Sequence, residues 1–499
     1  MSKKVVSCLL LIAFASFLTG CKTSLFGEDV PASKEPQAPP PPVVVEGMRT
    51  SYADVVDKTS PAVVRIEADH KAKPQAQQQT PFGEDFFRQF GLPSPQQPRA
   101  QGPPPVERGL GSGVIVSADG TILTNNHVVE GADKITVQIG NNKTFEAKIV
   151  GTDRPSDLAV IKIEAQNMPY LTLGNSDQVR VGDIVLAIGN PLGIGQTVTG
   201  GIISAKGRRT GLSDGSFEDF LQTDAPINRG NSGGALVNLN GELIGINSQI
   251  LSPGGAAGGN ISIGFSIPSN MAKSVMEQLL KDGKVHRGML GINIQNITQD
   301  MAEALDLKDT SGVLVGGVRT GSSAEKAGLK AEDVITAING EKIEDSNVLR
   351  NKVAGTPPGT DIKLTIMRDG KEQELTAKLD EFDTETAKKS DSGDGDGKGE
   401  EKSGESGKLG LSLQPLTPSI AKELELPAGT EGMVITEVDP GGVSAEAGLA
   451  RGDVILKINR KPVKSAEDVQ TALNDAGSKP VLLLVARKNQ TSYLTIRPR

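Results

Sequence analysis

A chain of 499 residues exceeds the ~250–300 at which one hydrophobic core stops growing, so two to four domains are expected. Acidic residues outnumber basic ones by 61 to 53, and Lys and Arg do not cluster, which argues against the concentrated positive footprint that nucleic-acid binding needs. Both cysteines, Cys8 and Cys21, lie in the first 21 residues, so the body of the chain can form neither a disulfide nor a cysteine metal site. No CxxC, HExxH or GxxxxGK[ST] pattern occurs, so no metal, cofactor or nucleotide is expected. Gly at 59 residues is well over the ~7% average, which favours many turns between short strands over long helices.

At the start, Lys3 and Lys4 precede an apolar run from Val5 to Leu18, too short for the ~20 residues of a membrane-spanning helix, and residues 1–20 read as a secretory signal. The run ends in Leu18-Thr19-Gly20-Cys21, small residues before a cysteine, which resembles a bacterial lipobox with Cys21 as the lipidated residue. Residues 21–50 follow as a linker whose Pro36-Gln37-Ala38-Pro39-Pro40-Pro41-Pro42 makes a stiff extended spacer.

Residues 51–283 form the next expected unit. Short apolar runs alternate there with Gly, Asn and Asp turns, the pattern of an all-β domain. Val114-Ile115-Val116-Ser117 and Thr121-Ile122-Leu123-Thr124 flank a turn containing Asp119-Gly120 and predict a hairpin. Residues 71–108, rich in Gln and Pro, predict a long loop; it holds Phe82, Phe86, Phe87 and Phe90, four of the 12 phenylalanines, and so reads as a contact site. Met271 to Lys281 predicts a helix ending at Gly283.

Beyond that boundary the chain repeats itself. Ala327-Gly328-Leu329 recurs as Ala447-Gly448-Leu449, Asp333-Val334-Ile335 as Asp453-Val454-Ile455, and Asn339 as Asn459, each at an offset of 120. Two copies of one domain are therefore expected, at 284–382 and 408–499. Between them residues 383–407 are almost all Asp, Glu, Lys, Ser, Thr and Gly, a solvated tether spanning roughly 25–30 Å.

The chemistry concentrates in Asn228-Arg229-Gly230-Asn231-Ser232-Gly233-Gly234. Attack on an amide carbonyl needs an exposed hydroxyl beside backbone amides turned toward the developing oxyanion, and flanking glycines permit such a turn. A serine turn becomes informative only with a base and an orienting acid. Of three histidines, His70 adjoins the Gln-rich loop and His286 lies in an interdomain connector; both are expected to face solvent. His127 remains, where the hairpin strand ends in Thr124-Asn125-Asn126-His127. Asp157, directly before Leu158-Ala159-Val160-Ile161, is the candidate acid at the mouth of a strand, with Asp153 as the alternative. The order His127, Asp157, Ser232 is that of chymotrypsin-like enzymes.

Four segments, Leu110-Gly111-Ser112-Gly113-Val114-Ile115, Thr124-Asn125-Asn126-His127-Val128-Val129, Ser156-Asp157-Leu158-Ala159-Val160 and Gly230-Asn231-Ser232-Gly233-Gly234, together resemble the HtrA/Deg family of serine proteases, and the two repeats resemble PDZ domains. The resemblance covers about residues 50 to 499. It implies a mainly β architecture: a chymotrypsin-like double β-barrel followed by two PDZ domains, which are small α+β, partly open barrels. It also implies His127 as base, Asp157 as orienter, Ser232 as nucleophile and an oxyanion hole built from the amides of Gly230 and Ser232, with the Asn231 amide between them. Trimers that assemble into larger cages, a 71–108 loop that crosses between protomers, and ATP-independent action on unfolded or misfolded envelope proteins in the bacterial periplasm follow from it too, with chaperone-like holding as a second activity. Three features depart from the pattern: the lipobox, Leu192 where the family often has Phe, and the length of the acidic tether.

In such folds the primary pocket is lined from just before the nucleophile. Ala225, Pro226 and Ile227 offer no carboxylate there, which predicts cleavage after Val, Ala, Ile or Leu. Met289, Leu290, Gly291 and Ile292 in the first repeat, and Leu409, Gly410 and Leu411 in the second, resemble the loop and strand by which PDZ domains take a peptide C-terminus. The Gly- and Ser-rich loops 208–217 and 251–260 flank the catalytic strands and are expected to order on activation. The competing reading is a catalytically inert PDZ scaffold or holdase, which would keep its function with Ser232 replaced by Ala.

Overall fold

The computed structural model describes residues 51–71, 106–140, 143–190, 195–210, 217–228, 230–250, 260–382, 410–427, 429–487 and 490–497. The expected signal and lipobox, the proline-rich linker, the four-Phe loop segment, Leu192, the acidic tether and Leu409 lie outside them, as do most of the two loops expected to order on activation.

Twelve strands make two closed barrels. β1 (Val63–Lys71), β2 (Val106–Ser117), β3 (Thr121–Thr124), β4 (Lys134–Ile139), β5 (Lys143–Asp153) and β6 (Leu158–Ile163) close in the order β1-β2-β3-β6-β5-β4. β7 (Ile184–Gly189), β8 (Thr197–Arg208), β9 (Phe220–Thr223), β10 (Ala235–Asn238), β11 (Leu243–Ile250) and β12 (Gly264–Pro268) close as β10-β11-β12-β9-β8-β7. The sequence supplies the reason: β-branched residues and Leu dominate these runs, and closure leaves no free edge. Ile66, Ile115, Ile122, Leu123, Leu158, Ile161 and Ile163, on the strands of the first barrel, have no solvent exposure, each side chain contributing about 1.5–3 kcal/mol. The hairpin forms around Gly120, with Val114 opposite Leu123. The ends of the expected 71–108 loop prove to be strand, because the pairing of β1 with β2 continues to Lys71 opposite Val106.

A helix, Ser269–Asp282, packs against β5, β6, β11 and β12 and so braces both barrels. It buries Ala272, Val275 and Leu279 at helical spacing and stops where Gly283 takes φ 69°, its amide capping Leu279 O. It starts two residues earlier than the sequence suggests, directly after Pro268. Gly151 admits this approach: a β-carbon there would lie 2.9 Å from Gly283 O.

The repeats fold alike. Strands Ile292–Asn296, Val313–Val318, Val334–Ile338, Asp361–Arg368 and Lys371–Lys378 form the first sheet; Leu411–Pro415, Met433–Val438, Val454–Ile458, Val481–Arg487 and Gln490–Ile496 form the second in the same order. The repeated aspartates explain the repeated motif. Asp333 and Asp453, each 1% exposed, accept bidentate bonds from Arg368 and Arg487 with all four contacts at 2.6 Å, and each guanidinium also reaches the carbonyl of Gly328 or Gly448. Asn339 and Asn459 sit in the left-handed region, at φ 49° and 45°, and their side chains accept from Lys363 N and Leu482 N.

The two repeats also share a core. Leu314 and Val334 of the first pack with Leu482, Leu484 and Tyr493 of the second. Glu332 accepts from both Tyr493 Oη and Lys457 Nζ at 3.1 Å. Burial, followed by the Glu332 carboxylate, pushes the Tyr493 phenol far above its ordinary range.

Truncating Arg368 to Ala strands the Asp333 carboxylate with only the Lys330 amide as partner. A loss of roughly 3 kcal/mol is expected, at the low end for a broken buried pair, read as the midpoint shift of a urea titration.

Candidate active site

Strand pairing alone brings two of the three candidates together. β3 and β6 run antiparallel with Thr124 opposite Ala159, so the residues just past Thr124 meet those just before Ala159. Asn125 donates its side-chain Nδ2 to Asp157 O at 2.9 Å, and the Asn126 amide reaches the same carbonyl at 3.1 Å. His127 then opens the first turn of a short helix, Asn126–Val129, and its amide donates to Asp157 Oδ1 at 3.0 Å. Its ring Nδ1 lies 3.0 Å from Asp157 Oδ1 and 2.8 Å from Oδ2. A carboxylate only accepts, so Nδ1 carries the proton and Nε2 presents its lone pair. The imidazole is 48% exposed, which leaves that nitrogen accessible to a substrate.

Asp157 ends a 3-10 turn, Arg154–Ser156, in the left-handed region at φ 54°. The alternative acid, Asp153, is buried at the other end of that turn. It caps Ser156 N and receives Arg287 Nη1 and Nη2 at 2.7 and 2.5 Å. Asp153 therefore holds the turn and does not face His127. Arg287 lies 4.7 Å from the Phe217 ring centroid, and Phe217 meets Phe382 edge-on. The entry to the first repeat is thus bonded to the turn that presents Asp157.

Ser232 comes from the second barrel, just before β10. Its hydroxyl donates to Ser248 O at 3.0 Å, and Ser248 Oγ donates to Asp157 Oδ2 at 2.9 Å. Ser248, on β11, links Ser232 to Asp157, and no spacing in the sequence marks it. The loop amides divide into two sets. Asn231 N is engaged with Asn228 O, Gly233 N with Asn247 O and Gly234 N with Asn231 O, at 2.8–3.0 Å. Among the described residues no backbone acceptor is found for the amides of Gly230 or Ser232. Asn231 N, expected among the oxyanion donors, is thereby removed from that set.

The expected pocket residues divide. Ala225 and Ile227 are buried in the core of the second barrel and Pro226 is exposed. Ile227 lies under Gly264, where a β-carbon would come within 2.8 Å of its Cδ1. His70 and His286 are half-buried rather than free in solvent: Nδ1 of the first lies 3.1 Å from Gly131 O and that of the second 2.7 Å from Glu381. In the repeats, Gly291 and Gly410 take φ 74° and 67° at the entry to strands that form sheet edges. Leu290 and Leu411 are buried there, and Met289 and Ile292 half-buried.

Comparison with known proteins agrees with this geometry. A trypsin-like peptidase domain matches residues 111–246, and PDZ domains match 288–379 and 434–487. The chain is 41% identical over 471 residues to a probable periplasmic serine endoprotease, DegP-like, of Chlamydia pneumoniae, with 92% of each covered. The chain belongs to the HtrA family of serine endoproteases. Its identity to the periplasmic pH-dependent serine endoprotease DegQ of Escherichia coli is 39% over 503 residues, spanning 99% of this chain and all of that one. A solved HtrA-type protease, AlgW with decapeptide, superposes with a TM-score of 0.53 at 41% identity, over 67% of this chain and 99% of that one. This HtrA protease is therefore a periplasmic serine endopeptidase with two PDZ domains. Among the described residues no helix is long and apolar enough to cross a membrane.

Burial pushes the Asp219 carboxyl above its ordinary 3.8, with Asp177 adding to the effect. A raised acid favours the folded state only while protonated, so its benefit disappears as pH rises through the shifted value. Asp219→Asn is expected to raise the melting temperature at about pH 7 and leave it unchanged at about pH 3. Gly233→Ala tests the loop: at φ 81° its β-carbon would sit within 2.5 Å of Ser112 O and Thr124 Oγ1, so soluble protein should show no measurable peptidase activity.

Proposed function

We propose that His127, Asp157 and Ser232 carry the peptidase reaction. His127 Nε2 takes the Ser232 proton as the hydroxyl attacks a substrate carbonyl, Asp157 stabilises the imidazolium, and the amides of Gly230 and Ser232 receive the oxyanion. The observation that carries this reading is the Asp157 carboxylate, which accepts His127 Nδ1 on both oxygens and Ser248 Oγ on one. The hydroxyl's bond to Ser248 O marks a resting arrangement, and attack requires its exchange for His127 Nε2.

The substrates are unfolded or misfolded periplasmic proteins, cleaved without ATP. The segment just before Ser232, Ala225-Pro226-Ile227, brings no carboxylate of its own, which supports cleavage after Val, Ala, Ile or Leu. Gly291 and Gly410, each turning the chain into an open sheet edge, support capture of substrate C-termini or apolar segments by strand addition. Trimers and larger cages, chaperone-like holding and a lipid anchor at Cys21 belong to the same reading.

Incubating wild type and Ser232→Ala with a reduced, unfolded protein in the absence of nucleotide tests it. Wild type should cut after small and medium aliphatic residues, and the variant should lose a factor on the order of 10⁶ in rate. Cuts mainly after Lys or Arg, or undiminished cutting by the variant, would contradict the reading.

A further inference from the structure

Ser112 lies in the first barrel, on β2, and is fully buried, yet all of its polar atoms serve the nucleophile loop of the second barrel or the segments packed against it. Its hydroxyl donates to Gly230 O at 2.5 Å and accepts from Asn190 N at 2.8 Å. Its amide donates to Ser232 O at 2.8 Å, and its carbonyl accepts from Thr124 Oγ1 at 2.7 Å. A structural serine in a strand would satisfy its hydroxyl within its own sheet. This one crosses the barrel interface.

We infer that the Ser112 hydroxyl is a positioning group for the oxyanion hole, setting the orientation of Gly230 from the opposite barrel. The inference rests on the catalytic reading given above. Gly230 is the freest point of the loop, a glycine at φ 95°. Its carbonyl and the Asn231 amide share one peptide plane, held at one end by Ser112 Oγ and at the other by Asn228 O. With that plane fixed, only the two backbone dihedrals of Gly230 remain between it and the Gly230 amide, so the Ser112 hydroxyl removes one of the freedoms by which that amide could turn. The main-chain bond from Ser112 N to Ser232 O survives any substitution that keeps the backbone, so the hydroxyl can be tested separately.

In Ser112→Ala, Gly230 O and Asn190 N both lose their partner, and the loop gains the freedom to turn. The expected result is a fall in kcat by roughly 10- to 100-fold, smaller than the ~10²–10³ of losing an oxyanion donor outright, with KM within about twofold of wild type. The affinity of a peptide boronate, which mimics the tetrahedral adduct, should weaken by the same factor. Ser112→Thr retains the hydroxyl and should recover most of kcat. Rates are taken per site titrated with a fluorophosphonate, so unfolded molecules are not counted. Ser112→Cys, with a weaker donor, gives the same comparison if the Ala variant does not fold.

Wild-type kcat in Ser112→Ala, or in Ser112→Cys where the Ala variant does not fold, would overturn the inference. Failure of both to fold would also overturn it, by showing that the hydroxyl serves the fold and not the hole. Ser232→Ala run alongside separates the two levels. Activity surviving in Ser232→Ala sinks the catalytic reading itself. A dead Ser232→Ala beside an unimpaired Ser112→Ala sinks only the role of Ser112.

Discussion

One carboxylate organises the centre of this molecule. Asp157 accepts the amide and ring Nδ1 of His127 from the first barrel and the hydroxyl of Ser248 from the second, while its own carbonyl takes the Asn125 side chain and the Asn126 amide. Hydrogen bonds to an ionised acceptor are stronger than neutral ones, and this group gathers them from both halves of the fold. Its backbone is held in the left-handed region, uncommon for a residue other than glycine, by a turn that Asp153 caps and Arg287 clamps. The acid is thus fixed in position by its own turn, by the barrel interface and by the start of the first PDZ domain.

The nucleophile loop is built by the complementary device. Gly233 has no side chain, and the space it leaves is occupied by Ser112 O and Thr124 Oγ1. The first barrel can therefore approach the loop closely enough for main chain to bond main chain. Three of the loop's five amides are consumed in holding its shape. Among the described residues no backbone acceptor takes those of Gly230 and Ser232, the two amides proposed to receive the oxyanion.

The first PDZ domain is joined to this centre by direct contacts. Asn347 and Asn351, on the helix Ser346–Gly355 of the first PDZ domain, both donate to Glu218 O beside β9, at 2.9 and 2.8 Å. Arg287 and Phe382, at the two ends of that domain, meet Asp153 and Phe217. Such contacts tie the first PDZ domain to the turn carrying Asp157.

Much of this was legible in the sequence, and the limits have physical causes. The hairpin, the serine turn, the candidate acid and the internal repeat are local patterns, set by a few neighbouring residues. The repeat was visible as Asp333 and Asp453 because a buried aspartate admits few replacements, but its partners Arg368 and Arg487 recur at 119 rather than 120 and escaped notice. Ser248, Arg287 and the role of Ser112 depend on contacts between barrels or domains, spanning 91, 134 and 118 residues, and no spacing announces them. The bond from the Asn231 amide to Asn228 O is hidden for a related reason: which loop amides are engaged depends on the three-dimensional turn. The alternative acid, Asp153, was resolved only by the arginine that occupies it.

The central claim is that this geometry makes Ser232 a nucleophile dependent on the His127–Asp157 pair, and covalent labelling tests it most directly. Intact-mass and peptide-mapping measurements after treatment with a fluorophosphonate should show one adduct, on Ser232, forming in wild type and abolished or slowed by orders of magnitude in His127→Ala and Asp157→Ala. Equal labelling of Ser232 in those variants, or an adduct on another side chain, would contradict the account.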